Sequence, residues 1–222
     1  MSISDNLRKL ATDIPESVSI IAVSKRKSPA DILEAYKAGQ RIFGENRVQE
    51  LTEKHPQLPE DIEWHMVGHL QTNKVKYLAG FVQMVQSIDS LKLLLALESE
   101  AGKANRIISC LLQIHIAREE TKFGFTREEV LEIAGLPEVQ SLKNVSIRGV
   151  MGMATFTDNK ELVRSEFRYL KEIYNDLKEK YYPSVQEFKE ISMGMSGDYL
   201  LAIEEGSTMI RLGTIIFGPR NY

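Results

Sequence analysis

The chain has 222 residues, enough for one domain of the larger kind, and its 43% apolar and 27% charged content excludes the disordered and fibrous classes. A net charge of −3 supplies no bulk positive field for a nucleic-acid backbone or an anionic membrane surface, so any anion must be held locally. The opening MSISDNLRKLATDI lacks a basic region followed by an apolar one, and no window approaches the roughly 18 uninterrupted apolar residues of a membrane span, so a cytoplasmic protein is expected.

Short β-rich runs alternate with helical patterns along the chain. After a short helix at SDNLRKLA (4–11), VSIIAVSK (18–25) reads as the first strand. Ser28, Pro29 and Gly39 then mark the cap, the first position and the end of a helix over PADILEAYKAG. RIFGEN (41–46), IEWHMVGHL (62–70), FVQMVQSI (81–88) and IISCLLQIHI (107–116) continue the strand series. Thr126 precedes REEVLEIAG, with Glu129 at capping-box spacing. VSIRGVMGM (145–153) leads into a long helix over 158–182, where Leu162, Phe167, Leu170, Ile173, Tyr174 and Leu177 lie near one face. FKEISMGM (188–195), a helix over SGDYLLAIEEG (196–206) and TMIRLGTIIF (208–217) complete eight strand candidates.

Several strands are nearly continuous in Val, Ile, Leu, Met and Phe, as parallel strands buried on both faces are. Parallel strands need crossovers, and right-handed crossovers place the helices outside, so eight such units predict a single (β/α)8 TIM-type barrel over residues 1–222. A doubly wound open sheet would satisfy the same alternation. Active sites of barrels gather at the C-terminal ends of the strands, and polar residues there need explaining.

Lys25 ends the first strand and would sit in the mouth, where partial desolvation and the cations Arg26 and Lys27 favour the neutral, nucleophilic amine; the alternative is a strand-end lysine reaching into solvent. SMGMSGD (192–198) and RLGTIIFG (211–218) fall where barrels build phosphate sites. There Gly194, Gly197 and Gly213 permit close approach, and Ser192, Ser196 and Thr214 offer hydroxyls; ordinary turns with capping serines would read the same way. Arg211 stands in an apolar strand and needs a partner, with Glu45, Glu190 and Asp198 as candidates. Glu45, Asn46, His69, Gln71 and Asn73 are further mouth candidates. His65 and His69 would share one strand face, but no Cys or carboxylate pattern completes a metal site, and none is expected. Cys110, the sole cysteine, is expected to be buried and inert. No GxSxG, HExxH, P-loop or GxGxxG motif appears.

The motifs AVSK, IFGENRVQE, WHMVGHLQTNK, GVMGM, SMGMSGD and GSTMIRLGTIIFGPRNY, from about Ile20 to the C-terminus, closely resemble the pyridoxal phosphate homeostasis protein family. The resemblance implies a fold like the barrel domain of alanine racemase and the other fold-type III proteins that use pyridoxal 5′-phosphate (PLP). It implies Lys25 as the Schiff-base lysine, phosphate contacts from the Ser192 and Ser196 segment and from Gly213 and Thr214, and Arg211 beside the pyridine nitrogen, where a cation disfavours ring protonation. The implied cofactor-binding set is Lys25, Asn46, Ser192, Met193, Ser196, Arg211, Gly213 and Thr214, with no residue assigned to catalysis.

The sequence departs from the racemase pattern by ending at Tyr222, which leaves no room for a second, β-rich domain, so two-face proton chemistry is not expected. The expected function is a monomeric PLP reservoir or carrier, with apo PLP-dependent enzymes as possible recipients and no nucleic-acid or membrane partner. The competing readings are a fold-type III PLP enzyme such as an amino-acid racemase and, from barrel and lysine alone, a Schiff-base aldolase.

Overall fold

Local signals set the helix ends. Ser2 accepts from the Asp5 amide at the start of α1 (Ile3–Asp13) and Asp5 returns the bond; Ser28 and Asp31 form the same box at α2 (Pro29–Lys37). Pro29 takes the first turn of α2, and Gly39, at φ 102°, lets the chain turn away just past its end.

The computed structural model describes residues 2–118 and 123–219; Arg220, Asn221 and Tyr222 of the C-terminal motif lie outside the described residues. Following β1 (Ser19–Val23) and α2 come β2 (Ile42–Glu45), α3 (Val48–Lys54), β3 (Glu63–Met66), the 3₁₀ segment Thr72–Tyr77, β4 (Met84–Ile88) and α4 (Leu91–Lys103). The chain goes on through β5 (Ile108–Ile114), α5 (Arg127–Ala134), α6 (Pro137–Gln140), β6 (Val145–Gly152), α7 (Lys160–Lys180), β7 (Glu190–Met195), α8 (Tyr199–Glu204), β8 (Met209–Leu212) and α9 (Thr214–Phe217).

All neighbouring strands pair in parallel in chain order, and β8 returns to β1 with Ile21 opposite Arg211 and Ala22 opposite Leu212. The sheet is therefore the closed (β/α)8 barrel that the alternation predicts, and the open sheet is excluded. Successive side chains of a strand take opposite faces. Ile21, Met84, Leu111, Met151 and Met209 form one cluster, in the barrel interior, with Val67 from the loop after β3. Their chain neighbours Ala22, Val85, Cys110, Leu112, Val150 and Ile210 join a larger cluster with helix residues such as Ile32, Leu51, Leu94 and Phe167. Full burial of each Val, Leu, Ile or Phe among them is worth about 1.5–3 kcal/mol, which holds the helices on the outside of the barrel. Cys110 is fully buried in this outer layer, and burial pushes its thiol well above the usual range.

Three expectations are corrected. TMIRLGTIIF is not one strand: pairing with β1 stops at Leu212, and TIIF winds into α9, whose Ile216 carbonyl accepts from the Asn6 side chain of α1 at 2.9 Å. Strand three ends at Met66 instead of running to Leu70, so His65 and His69 do not share a strand face. The crossover after it is 3₁₀ instead of α-helical. Among the described residues no helix is long and apolar enough to cross a membrane, and no group of three His, Cys, Asp or Glu is placed to hold a metal ion.

Candidate functional site

The C-terminal mouth of the barrel carries most of the residues that the sequence singles out. Lys25 lies two residues past β1, in a turn, half-buried, and lines a pocket at the mouth. Both of its neighbours are held. The Ser24 carbonyl accepts from Lys54 Nζ at 2.9 Å and the Ser24 hydroxyl donates to Glu45 Oε1 at 2.7 Å, while the Arg26 amide donates to Glu50 Oε2 at 2.6 Å. Lys54 Nζ joins the two carboxylates, 2.7 Å from Glu45 and 3.0 Å from Glu50. Arg26 takes φ 60°, a left-handed conformation that a long side chain adopts only when surrounding bonds enforce it. Glu45 and Lys54 are buried at 0% and 7% exposure, with Glu45 at the outward parity of β2 facing α3. Burial raises the pKa of Glu45, and the Lys54 ammonium and the Ser24 hydroxyl oppose that rise.

A second network fills the interior beneath the mouth. Arg211 projects inward from β8 and donates to Ser192 Oγ at 2.6 Å and to the Gly152 carbonyl at 2.9 Å. Ser192 in turn donates to Gln86 Oε1 at 2.7 Å, and Gln86 Nε2 meets His65 Nδ1 at 2.9 Å. Burial lowers the Arg211 pKa to about 10, against the favourable charge of Asp198, so the guanidinium stays cationic at neutral pH. Burial alone brings His65 down to about 3, so it is a neutral member of the chain. Of the partners expected for Arg211, Glu45 is engaged by Lys54 and Glu190 accepts from the Thr208 hydroxyl at 2.7 Å; the guanidinium is held mainly by a hydroxyl and a carbonyl.

This placement separates residues that the sequence groups together. The Ser192 hydroxyl, expected at a phosphate, lies fully buried, its proton given to Gln86 and a lone pair to Arg211. The Met193 side chain points to the outer layer, where it is fully buried; its carbonyl accepts from the Ser207 hydroxyl at 2.8 Å. Ser196, Gly213 and Thr214 do meet. The Gly213 amide donates to Ser196 Oγ at 3.3 Å, which leaves the Ser196 proton as a donor, and the first turn of α9 has no side-chain cap. First-turn amides of a helix have no intrahelical acceptor, and here Thr214 opens the turn while the Ser196 hydroxyl stands against the Gly213 amide just before it. A β-carbon on Gly197 would meet nothing within 4 Å, so the turn is open there. Asp198 in the same turn accepts from the Met195 amide at 2.5 Å; the amides and hydroxyls beside it are donors that suit a phosphate monoester, and the mouth lysine supplies the amine that suits an aldehyde.

Asn46 follows β2 and lines two adjoining pockets. One, of 170 Å³, is walled by Lys25, Arg26, Asn46, Arg47 and Glu50; the other, of 430 Å³, lies between α3 and the loop after β3. Lys54 and Gln86, and Glu50 at the end of IFGENRVQE, are neighbours of the site that the residue pattern did not single out by role. Glu50 and Lys54 sit at i, i+4 on α3, and Gln86 is a polar residue at inward parity in the run FVQMVQSI; both patterns are signals that could have found them.

The alanine racemase N-terminal domain family model matches residues 1–221. The pyridoxal phosphate homeostasis protein of Synechocystis is 39% identical over 217 residues, covering 96% of each chain, and that of Aquifex aeolicus is 39% identical over 204 residues, covering 91% of this chain and 87% of its relative. PipY of Synechococcus elongatus, solved with PLP bound, is 37% identical with a TM-score of 0.89, covering 98% of this chain and 100% of PipY. Alanine racemase of E. faecalis shares the fold at 18% identity, with a TM-score of 0.77, and the match takes in 98% of this chain but 58% of the racemase. With a lysine and an anion donor set in one barrel mouth, and with matches of this extent, the chain belongs to the pyridoxal phosphate homeostasis protein family, on the fold of the alanine racemase N-terminal domain.

Proposed function

We propose that this protein binds PLP covalently through Lys25 and serves PLP homeostasis in the cytoplasm, holding the cofactor and releasing it to apo-enzymes as a monomer, without efficient turnover of its own. The observation that carries the reading is the pairing, in one mouth, of a lysine clamped on both sides with the uncapped first turn of α9. The names of the relatives and the PLP-bound PipY structure support it.

When bound, PLP supplies an aldehyde that reacts with amines and a pyridine ring that withdraws electrons. The protein's own residues do the rest. Thr214, Ser196 and the Gly213 segment would hold the phosphate, and Asn46 borders the pocket that contains Lys25. Arg211 presents a permanent cation, and Ser192 together with the Gly152 carbonyl fixes its orientation. A cation opposes protonation of a nearby pyridine nitrogen, which weakens the ring as an electron sink and suits a holder better than a transaminase or racemase. In this reading Ser192 acts through Arg211, and Met193 contributes through its backbone.

Thr214→Val with Ser196→Ala is expected to weaken PLP more than pyridoxal, since only PLP presents a phosphate to these donors. Each lost hydrogen bond to a charged group costs about 1.5–3 kcal/mol. Titration of both ligands checks it, and equal losses would place the phosphate elsewhere.

The function itself is tested by the spectrum of the PLP-loaded protein, transfer of PLP to an apo-enzyme, and steady-state assays with alanine, serine, glutamate and lysine. Transfer without turnover is expected. A rate in the usual enzyme range of about 1–10³ s⁻¹ on any amino acid would overturn the holder reading.

A further inference from the structure

We propose that the 430 Å³ pocket between α3 and the loop after β3 is an outer binding site for a phosphate monoester, through which PLP passes on its way to and from Lys25; the proposal rests on the PLP reading above. Of the WHMVGHLQTNK motif, His65 closes the interior network, while His69, Gln71 and Lys74, which have no part in it, all line this pocket. It adjoins the smaller pocket that contains Lys25, with Asn46 and Arg47 in the walls of both.

Charge identifies the ligand. Arg47 and Lys74 both line the outer pocket, and among the described residues neither forms an ion pair. Lys74 is half-buried, its ammonium 5.5 Å from the Tyr77 ring, and Lys76 adds a second cation 5.1 Å from that ring. Arg47 is exposed and lies within the field of Glu50, so Lys74 is the half-buried cation to which an anion entering the pocket would bring a counter-charge. The nearby acids are engaged: Asp89 lies 2.9 Å from His69 Nδ1, and Glu50, which lines only the inner pocket, is held by Lys54 and the Arg26 amide. The anion is therefore favoured in the outer chamber. The side-chain amides of Asn46 and Gln71 add neutral donors for phosphate oxygens.

The wall formed by the loop after β3 is firmly seated. A β-carbon on Gly68 would fall 2.4 Å from the Asn46 carbonyl oxygen, so the loop after β3 is packed hard against the end of β2. The volume lies within the roughly 300–1,000 Å³ of small-molecule sites. Cations at a mouth also raise the encounter rate of an anion by about 10–10³-fold in a salt-dependent way, which suits an entry chamber.

The test begins with protein loaded with PLP and reduced with borohydride, so that Lys25 is capped, and titrates it by calorimetry with pyridoxine 5′-phosphate, AMP and unphosphorylated pyridoxine. Saturable binding of pyridoxine 5′-phosphate but not pyridoxine is expected, weakened about tenfold by Lys74→Ala. The same variant is expected to load PLP several-fold more slowly, with less salt dependence, while reaching the same Lys25 adduct. Absence of ester binding to the capped protein, or binding that Lys74→Ala leaves unchanged, would overturn the site. Tighter binding of AMP would keep a phosphate site but overturn the PLP route in favour of nucleotides. If no pyridoxyl adduct forms on Lys25 at all, the PLP reading fails on its own, and inorganic phosphate titrated into unmodified protein and into Lys74→Ala still decides the pocket.

Discussion

Lys25→Ala is expected to leave no borohydride-stable pyridoxyl adduct and no visible band after incubation with PLP. The argument is positional. Lys25 lines the inner pocket at the mouth, and the chain on either side of it is tied to Lys54, Glu45 and Glu50, so its amine is presented from a fixed base. Lys27, two residues on, is directed elsewhere, its Nζ donating to the Phe217 carbonyl at 2.9 Å. The truncation removes a half-buried side chain whose loss opens no core cavity, so unfolding should change by no more than about 0.5–1 kcal/mol. Peptide mass spectrometry after reduction reads the site directly. An adduct found mainly on Lys74 or Lys76, or undiminished in the variant, would reassign the covalent position.

Lys54→Met carries the second large effect, on stability. It leaves the buried Glu45 carboxylate with the Ser24 hydroxyl as its remaining partner among the described residues, and Glu45 Oε2 already lacks a hydrogen bond among them. Removing one member of a buried pair typically costs about 3–5 kcal/mol, whereas replacing both members by neutral groups is often close to neutral. Lys54→Met should therefore be severely destabilised in urea unfolding, and Lys54→Met with Glu45→Gln should recover most of the loss. The pH dependence follows in sign. Burial raises the Glu45 pKa, and loss of Lys54 removes an opposing influence, so between the ordinary carboxylate value and the raised one the folded state binds more protons than the unfolded state. Stability of the single variant then falls as pH rises through that window, and its deficit is smallest at the acid end. A cost under about 1 kcal/mol would mean that water already reaches the pair. Because Lys54 also holds the Ser24 carbonyl, the variant should trap PLP at Lys25 more slowly than its residual folded fraction accounts for.

Elements with strong periodicity are legible in the residue pattern. The capping box at Thr126 depends on residues three apart and forms as its spacing predicts, and Ser28 caps α2 ahead of Pro29 as expected, with Asp31 completing a box there too. The long helix, predicted over 158–182, spans Lys160–Lys180, with Val163 buried on the face expected for Leu162. The error at TMIRLGTIIF has a different origin. A four-residue apolar run such as TIIF satisfies either a strand or a helical turn, and the choice is made by where β1 stops offering hydrogen bonds and by the docking of Ile216 and Phe217 below α1.

The order of residues is enough to specify the barrel, because eight apolar runs separated by helical patterns call for parallel strands joined by outer crossovers, and it is enough to place Lys25, Arg211 and the Ser196 and Gly213 segments at strand ends. It does not specify what each polar group is bonded to. Ser192 reaches Gln86 across 106 positions of sequence, and Lys54 closes on Ser24 across 30, in pairings with no period along the chain. Burial obliges each polar atom to find a partner, but which partner lies within about 3 Å is set by the stagger of strands around the closed sheet, which no local pattern encodes.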